Sequence, residues 1–341
     1  MVDLLDKPDR IILTDISSTA WEHPADRAAL QTLRAIPGFD EVVRKVMGLI
    51  GERGVRLFFT ADAIRVGPRQ RPKLDALYSE VLETLDYKGE RPELFVSQTP
   101  FVNAMAVGFE RPFIVLNSGA VGLLDREERR VLIGHELGHI MSGHATYTTI
   151  ALILLRAGFT AIPGLGLIAL PIQLALLEWS RKAELSADRA GLLASQAPEV
   201  TMGMYLKFAG GTDGDDPSSL DEFLVQAEEY EIGGHALDGV LKVLNLLFRS
   251  HPFNTARAAE LNHWLKSGAY ERILAGDYPR RGDDTRPLGD DVADAADYYG
   301  EQSRRAAASV GEVLTRARDA FNSAFRPTTN SFAEHCRQKF L

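Results

Sequence analysis

Residues 134–144 read "GHELGHIMSGH". Two histidines stand four apart, with a glutamate directly after the first. Upstream, Asp125 is followed three residues later by Glu128, a pairing that opens helices. Val131, Leu132, His135 and His139 then fall on one helical side. At about 100° per residue, positions four apart stand one above the other. His135 and His139 can therefore present two imidazoles to one cation at the usual ~2 Å. Glu136 is rotated one step round the helix. It is poorly placed to ligate, but it can reach a water beside that cation and take its proton. By chance alone, His-Glu-x-x-His arises in roughly one chain in a hundred of this length. What lies downstream must decide.

A water can keep one position on zinc only if the protein supplies three ligands. His144 is the nearest candidate, and a continued helix would turn it to the opposite side, as a surface or packing residue. The metzincin spacing would need glycine at 142 and histidine at 145, where the chain has Ser142 and Ala145. Glu184 in "SRKAELSADRAG" fits better, with Asp188 one helical turn later. Glu184 would bind the metal, while Asp188 accepts the outer N–H of a ligand histidine and fixes its orientation. The competing reading pairs both carboxylates with Arg181 and Arg189 on a solvated helix face.

Composition narrows the rest. A formal net charge of −9 offers no basic excess for phosphates, which argues against nucleic acid as a partner. With 45% hydrophobic and 25% charged residues, the 341-residue chain has ample material for a buried core. Its single cysteine, Cys336, rules out an intrachain disulfide and a cysteine zinc cage. "MVDLLDKPDRIILTDISS" has no basic region followed by an apolar run, so the expected compartment is the cytoplasm, with membrane association as the alternative.

Residues 20–90 have helical spacing, with Pro24 in a first turn, Gly54 as a stop, and Leu74, Leu77, Val81 and Leu85 along a third segment. "ELFVS", "VNAMAVGFE" and "PFIVLNSG" predict a small antiparallel sheet, with Gly108 and Pro112 near its last turn. Ser219 is placed to cap "LDEFLVQAEEYE", and His251-Pro252 breaks two later helices. The expected organisation is a helical N-terminal part (1–90) packed on a catalytic core (91–280). An acidic linker (281–296) and a C-terminal amphipathic helix and tail (297–341) would follow.

"IVLNSGAVGLLDREERRVLIGHELGHI", "SRKAELSADRAG" and "RSHPFNTARAAEL" resemble, in order, three signature blocks of the HtpX and CAAX-prenyl-protease family of zinc metallopeptidases. The resemblance covers about residues 90–265. It implies an α+β, mainly α, zincin-like fold with the small sheet beside the active-site helix, and a gluzincin-type centre holding one Zn²⁺. His135, His139 and Glu184 would be the ligands, Glu136 the general base and Asp188 the outer carboxylate. His251 would stand near the scissile carbonyl and stabilise the oxyanion, with Arg257 supporting the site. "VNAMAVG" is similar to the edge strand on which family members hold a peptide, which makes Asn103 and Ala104 the substrate-binding candidates. No prenyl-binding signature is present.

The activity so implied is zinc-dependent endopeptidase cleavage of unfolded or flexible proteins. Two rivals stand beside it: a non-catalytic, metal-stabilised chaperone or binding module, and a membrane-integrated quality-control protease. Residues 157–177 carry no charge and reach the length of a membrane span. Three glycines and two prolines interrupt that run, and a buried helical hairpin explains 149–177 equally well. Besides protein or peptide substrates, peripheral membrane contact through 149–177 and a homo-oligomer are compatible with the chain.

Overall fold

The computed structural model of the chain describes residues 10–157, 169–210, 218–232 and 253–283. Three helices and one short strand come first: α1 (Pro24–Arg34), α2 (Phe39–Thr60), β1 (Ala63–Arg65) and α3 (Pro72–Thr84). Pro24 and Pro72 each occupy a first turn, where their missing N–H costs nothing. The expected stop at Gly54 is not where α2 breaks. The non-helical backbone falls at Gly51 (φ 63°, ψ 171°), and helix resumes as far as Thr60. That second piece buries Val55 in an apolar cluster with Phe95, Val107, Phe113 and Val115 of the sheet, which offsets the cost of the kink.

The sheet contains β1, β2 (Leu94–Ser97), β3 (Ala104–Val107) and β4 (Phe113–Asn117), in the order β1-β2-β4-β3. β3 pairs antiparallel to β4, as expected, and β1, in a region expected to be helical, pairs antiparallel to β2. β2 and β4, however, run parallel, so the sheet is mixed. β4 is buried along its whole length, which suits its run of Phe, Ile, Val and Leu between two neighbours. β3 lies at the edge, with no second strand neighbour among the described residues.

A short helix, α4 (Ser118–Leu123), leads into α5 (Arg126–Met141). The capping box forms in both directions: Glu128 N donates to Asp125 Oδ1 and Asp125 N to Glu128 Oε2, each at 2.9 Å. Then come α6 (Ala145–Ala157), α7 (Ala169–Ser195), α8 (Pro198–Phe208), α9 (Leu220–Ile232), α10 (Asn254–Lys266) and α11 (Ala269–Leu274). Ser219 Oγ accepts from Glu222 N at the start of α9, the cap expected there.

The central contact is α5 against α7. A Cβ added at Gly134 would stand 2.3 Å from the Ala194 Cβ, and one at Gly138 only 2.4 Å from that of Ala190. Glycine at these two positions lets the helix backbones approach more closely than side chains normally allow. Around that contact a main core takes in Val131, Ile133, Leu137, Leu192, Tyr205 and Trp264.

A second core joins Ile150, Leu154, Ile172 and Leu176 to Leu33, Phe39, Val42 and Val46 of the N-terminal helices. The described flanks of the apolar stretch 149–177 are thus packed against protein. Its middle, 158–168, lies outside the described residues, as do His251, the expected linker beyond Asp283 and the expected C-terminal helix. No helix among the described residues is long and apolar enough to cross a membrane.

Candidate metal centre

Because α5 and α7 approach so closely, their facing side chains meet in a small buried volume. His135, His139 and Glu184 are each less than a tenth exposed, and their ligand atoms all lie within 4.8 Å of one another. His135 Nε2 is 3.5 Å from Glu184 Oε2, and His139 Nε2 is 3.3 Å from Glu184 Oε1. Two donors at ~2.0–2.1 Å from one tetrahedral ion are about 3.3 Å apart, so the spacing fits zinc. The solvated-face reading of Glu184 and Asp188 fails, because both are buried.

Outer partners set the ring orientations. His135 Nδ1 is 2.9 Å from Asp188 Oδ1, which leaves Nε2 facing Glu184. Arg257 on α10 grips Asp188 with both arms, Nε to Oδ2 at 2.9 Å and Nη2 to Oδ1 at 2.5 Å. Its guanidinium lies 5.1 Å from the centre of the Tyr205 ring on α8.

Charge makes the same case. Among the described residues at this point, Glu136, Glu184 and Asp188 set three buried carboxyl groups against one permanent cation, Arg257. Such an excess is costly unless another positive charge joins it. Burial alone would lower the His135 ring, but hydrogen bonds to Asp188 and Glu184 outweigh it and raise the group to about 10. The carboxylates therefore favour positive charge at this point, a preference that equally serves a divalent ion. Burial takes His139 down to about 4, into the neutral form that ligates. Arg257, with the His135 ring, keeps Asp188 ionised against its burial, at about 2.

Glu136 points elsewhere. Burial pushes its carboxyl up to about 7, close to the value that suits a general base. One oxygen accepts from the Ala106 backbone N–H of the edge strand. Its Oε2 is buried without a hydrogen-bond partner among the described residues, as an oxygen meant for a water would be.

Ala104 is buried in β3, and the Asn103 carbonyl accepts from Asn117 N at 3.0 Å. Asn103 thus bonds inward, to the strand that continues into α4. Ala104 and Ala106 alternate with it, so their main-chain groups face away from β4, on the side where the Ala106 N–H meets Glu136.

His144 departs from expectation. Helix α5 ends at Met141, and Gly143 takes a left-handed conformation (φ 71°) that turns the chain back. His144 is therefore buried, with Nδ1 only 3.0 Å from His139 Nδ1. It is neither on the opposite side nor at the surface, because the helical phase that placed it there stops three residues earlier. The signal was present in the glycine of "SGH". Asp26, which meets His144, and Tyr205 had no comparable signal, since nothing local marks contacts so distant along the chain.

The profile of Peptidase family M48 matches residues 68–265, more than half of the chain. The chain belongs to peptidase family M48. M48 membership makes it a metal-dependent protease acting on protein substrates. A plastoglobule-localized chloroplastic metallopeptidase 48 from Arabidopsis thaliana is 33% identical over 269 residues, 77% of each chain. A protease HtpX homolog from Helicobacter pylori is 33% identical over 81 residues, 23% of this M48 chain and 26% of its own. Another HtpX homolog, from Pyrobaculum calidifontis, is 28% identical over 170 residues, 42% of this chain and 49% of its own. No solved structure matches.

Proposed function

We propose that the chain is a zinc endopeptidase cleaving unfolded or flexible proteins, with His135, His139 and Glu184 holding the ion and Glu136 as general base. The observation that carries this is the buried Glu136 carboxyl, with one oxygen unpartnered among the described residues, next to a three-donor cluster of zinc spacing. Bound there, zinc would polarise a carbonyl and acidify a water. Asp188 and Arg257 hold the His135 ring so that Nε2 faces the cluster.

An extended peptide adds along β3 on the side away from β4, where Ala104 and the Ala106 carbonyl offer main-chain hydrogen bonds, so recognition is of extended backbone more than of one side chain. Glu136, which accepts from the Ala106 N–H, stands beside that strand. It takes the proton from the attacking water and returns it to the leaving amine. The oxyanion role of His251 rests on its sequence block alone.

The test is Glu136→Gln in the full chain, assayed on an unfolded protein with zinc content measured in parallel. Zinc retained with cleavage reduced by about 10²-fold or more supports the reading. Unchanged cleavage removes Glu136 as the base. Absence of cleavage in the wild-type chain as well favours a binding module.

A further inference from the structure

We propose that His144 and Asp26 are positioning residues for His139, fixing the tautomer and tilt of this ligand as Asp188 and Arg257 fix His135; the proposal rests on the zinc reading above. His144 Nδ1 lies 3.0 Å from His139 Nδ1, and its Nε2 lies 3.1 Å from Asp26 Oδ2. The hydrogens along this path have one consistent arrangement. His139 ligating through Nε2 carries its hydrogen on Nδ1 and donates it. His144 accepts at Nδ1, so its own hydrogen is on Nε2 and goes to Asp26. The carboxylate ends the chain, because it only accepts.

Asp26 is itself clamped. Ser186 Oγ donates to Oδ2 at 2.6 Å and Trp179 Nε1 to Oδ1 at 2.9 Å. Ser186 in turn accepts from His23 N at 2.8 Å. Asp26 and His144 are almost completely buried, at 1% and 2% exposure. Ionised Asp26 thus sits in a dry site with three donors around it, an arrangement in which a buried carboxylate is tolerable. The geometry also explains the Gly143 turn, which returns the chain so that His144 reaches back under His139, with their rings 5.3 Å apart. Both ligand histidines then end on a buried carboxylate: directly for His135, through one imidazole for His139. The N-terminal helix α1 becomes part of the metal centre through Asp26.

The experiment uses the full chain with zinc or cobalt(II). It reads the apparent metal dissociation constant by chelator competition, the cobalt absorption bands, and kcat/KM. His144→Leu removes the acceptor, His144→Asn keeps one close to the place of Nδ1, and Asp26→Asn removes the charge at constant shape. Val46→Ala, in the apolar core that also holds Trp179 but off the hydrogen-bonded path, matches for lost packing.

Metal affinity is expected to fall about 10–100-fold in His144→Leu and Asp26→Asn, with shifted cobalt bands. His144→Asn should recover most of the loss, and Val46→Ala should bind as the wild type does. If His144→Leu does not fold, Asp26→Asn and His144→Asn carry the test. Wild-type affinity with unshifted bands in a folded Asp26→Asn chain overturns the proposal. So does an equal loss in Val46→Ala, which would assign the effect to packing. A wild-type chain that takes up neither metal overturns the zinc reading instead.

Discussion

Asp188 accepts from three nitrogens at once: His135 Nδ1 and two from Arg257. Its replacement by Asn would keep the shape and lose the charge that opposes the two bound cationic or polarised groups. We expect Asp188→Asn to weaken zinc binding about 10–100-fold, measured by chelator competition. Arg257→Lys gives up the two-armed grip and should fall in the same direction; wild-type affinity in both would contradict the assigned geometry. These residues differed in how plainly the sequence announced them. His135, Glu136 and His139 share one helical turn, so their geometry follows from 3.6 residues per turn. Glu184 and Asp188 needed the assumption that a second helix faces the first. Arg257 came only through the resemblance, and His144 was misplaced by extending a helix through Gly143.

At the scale of elements, the site exists because α5 and α7 touch through small residues. Gly134 and Gly138 alternate with the ligand histidines, so one stretch of sequence sets both the ligands and the approach of their partner helix. Gly138→Ala would put a methyl 2.4 Å from the Ala190 Cβ, within the space the two backbones share. The expected cost is about 1–3 kcal/mol, read from denaturant unfolding, with weakened zinc binding as Glu184 moves outward. A Gly138→Ala chain as stable as the wild type and equally metal-tight would remove the close approach from the account.

The sheet shows where reading from sequence runs out. Strand content in β2, β3 and β4 was visible in the runs of Val, Phe and Ile. Strand order was not, because β3 pairs at the outside of β4 and leaves β2 parallel to β4. β1, three residues long, is too short to show a period. In α2, three glycines at three-residue spacing, Gly48, Gly51 and Gly54, look alike in sequence, and only the packing of Val55 onto the sheet selects Gly51 for the kink.

Across the whole molecule, both ends of the described chain are tied together. Arg281 donates to Asp15 and to Asp86, while Asp15 N donates to Asp86 Oδ2 at 2.7 Å. Burial would raise the Asp86 carboxyl, but Lys88, the Asp15 N–H and Arg281 outweigh it and hold the group below its ordinary range. A carboxylate lowered on folding stabilises above its unfolded value, near pH 4, and that contribution fades as pH falls through the lower folded value. Asp86→Asn should therefore lower Tm at pH 7, with the gap closing below about pH 4; a gap constant down to pH 3 would contradict this. Truncation after Arg280 should lower Tm through loss of the same bridges, which a cut after Asp283 would spare.

One measurement reaches the centre of the account: the zinc content of the purified full-length chain, compared between wild type and Glu184→Ala after dialysis against a weak chelator. The account predicts about one zinc per wild-type chain and far less in Glu184→Ala, because two imidazoles from one helical turn do not complete the site. A wild-type chain without metal, or a Glu184→Ala chain that holds it equally well, would contradict it.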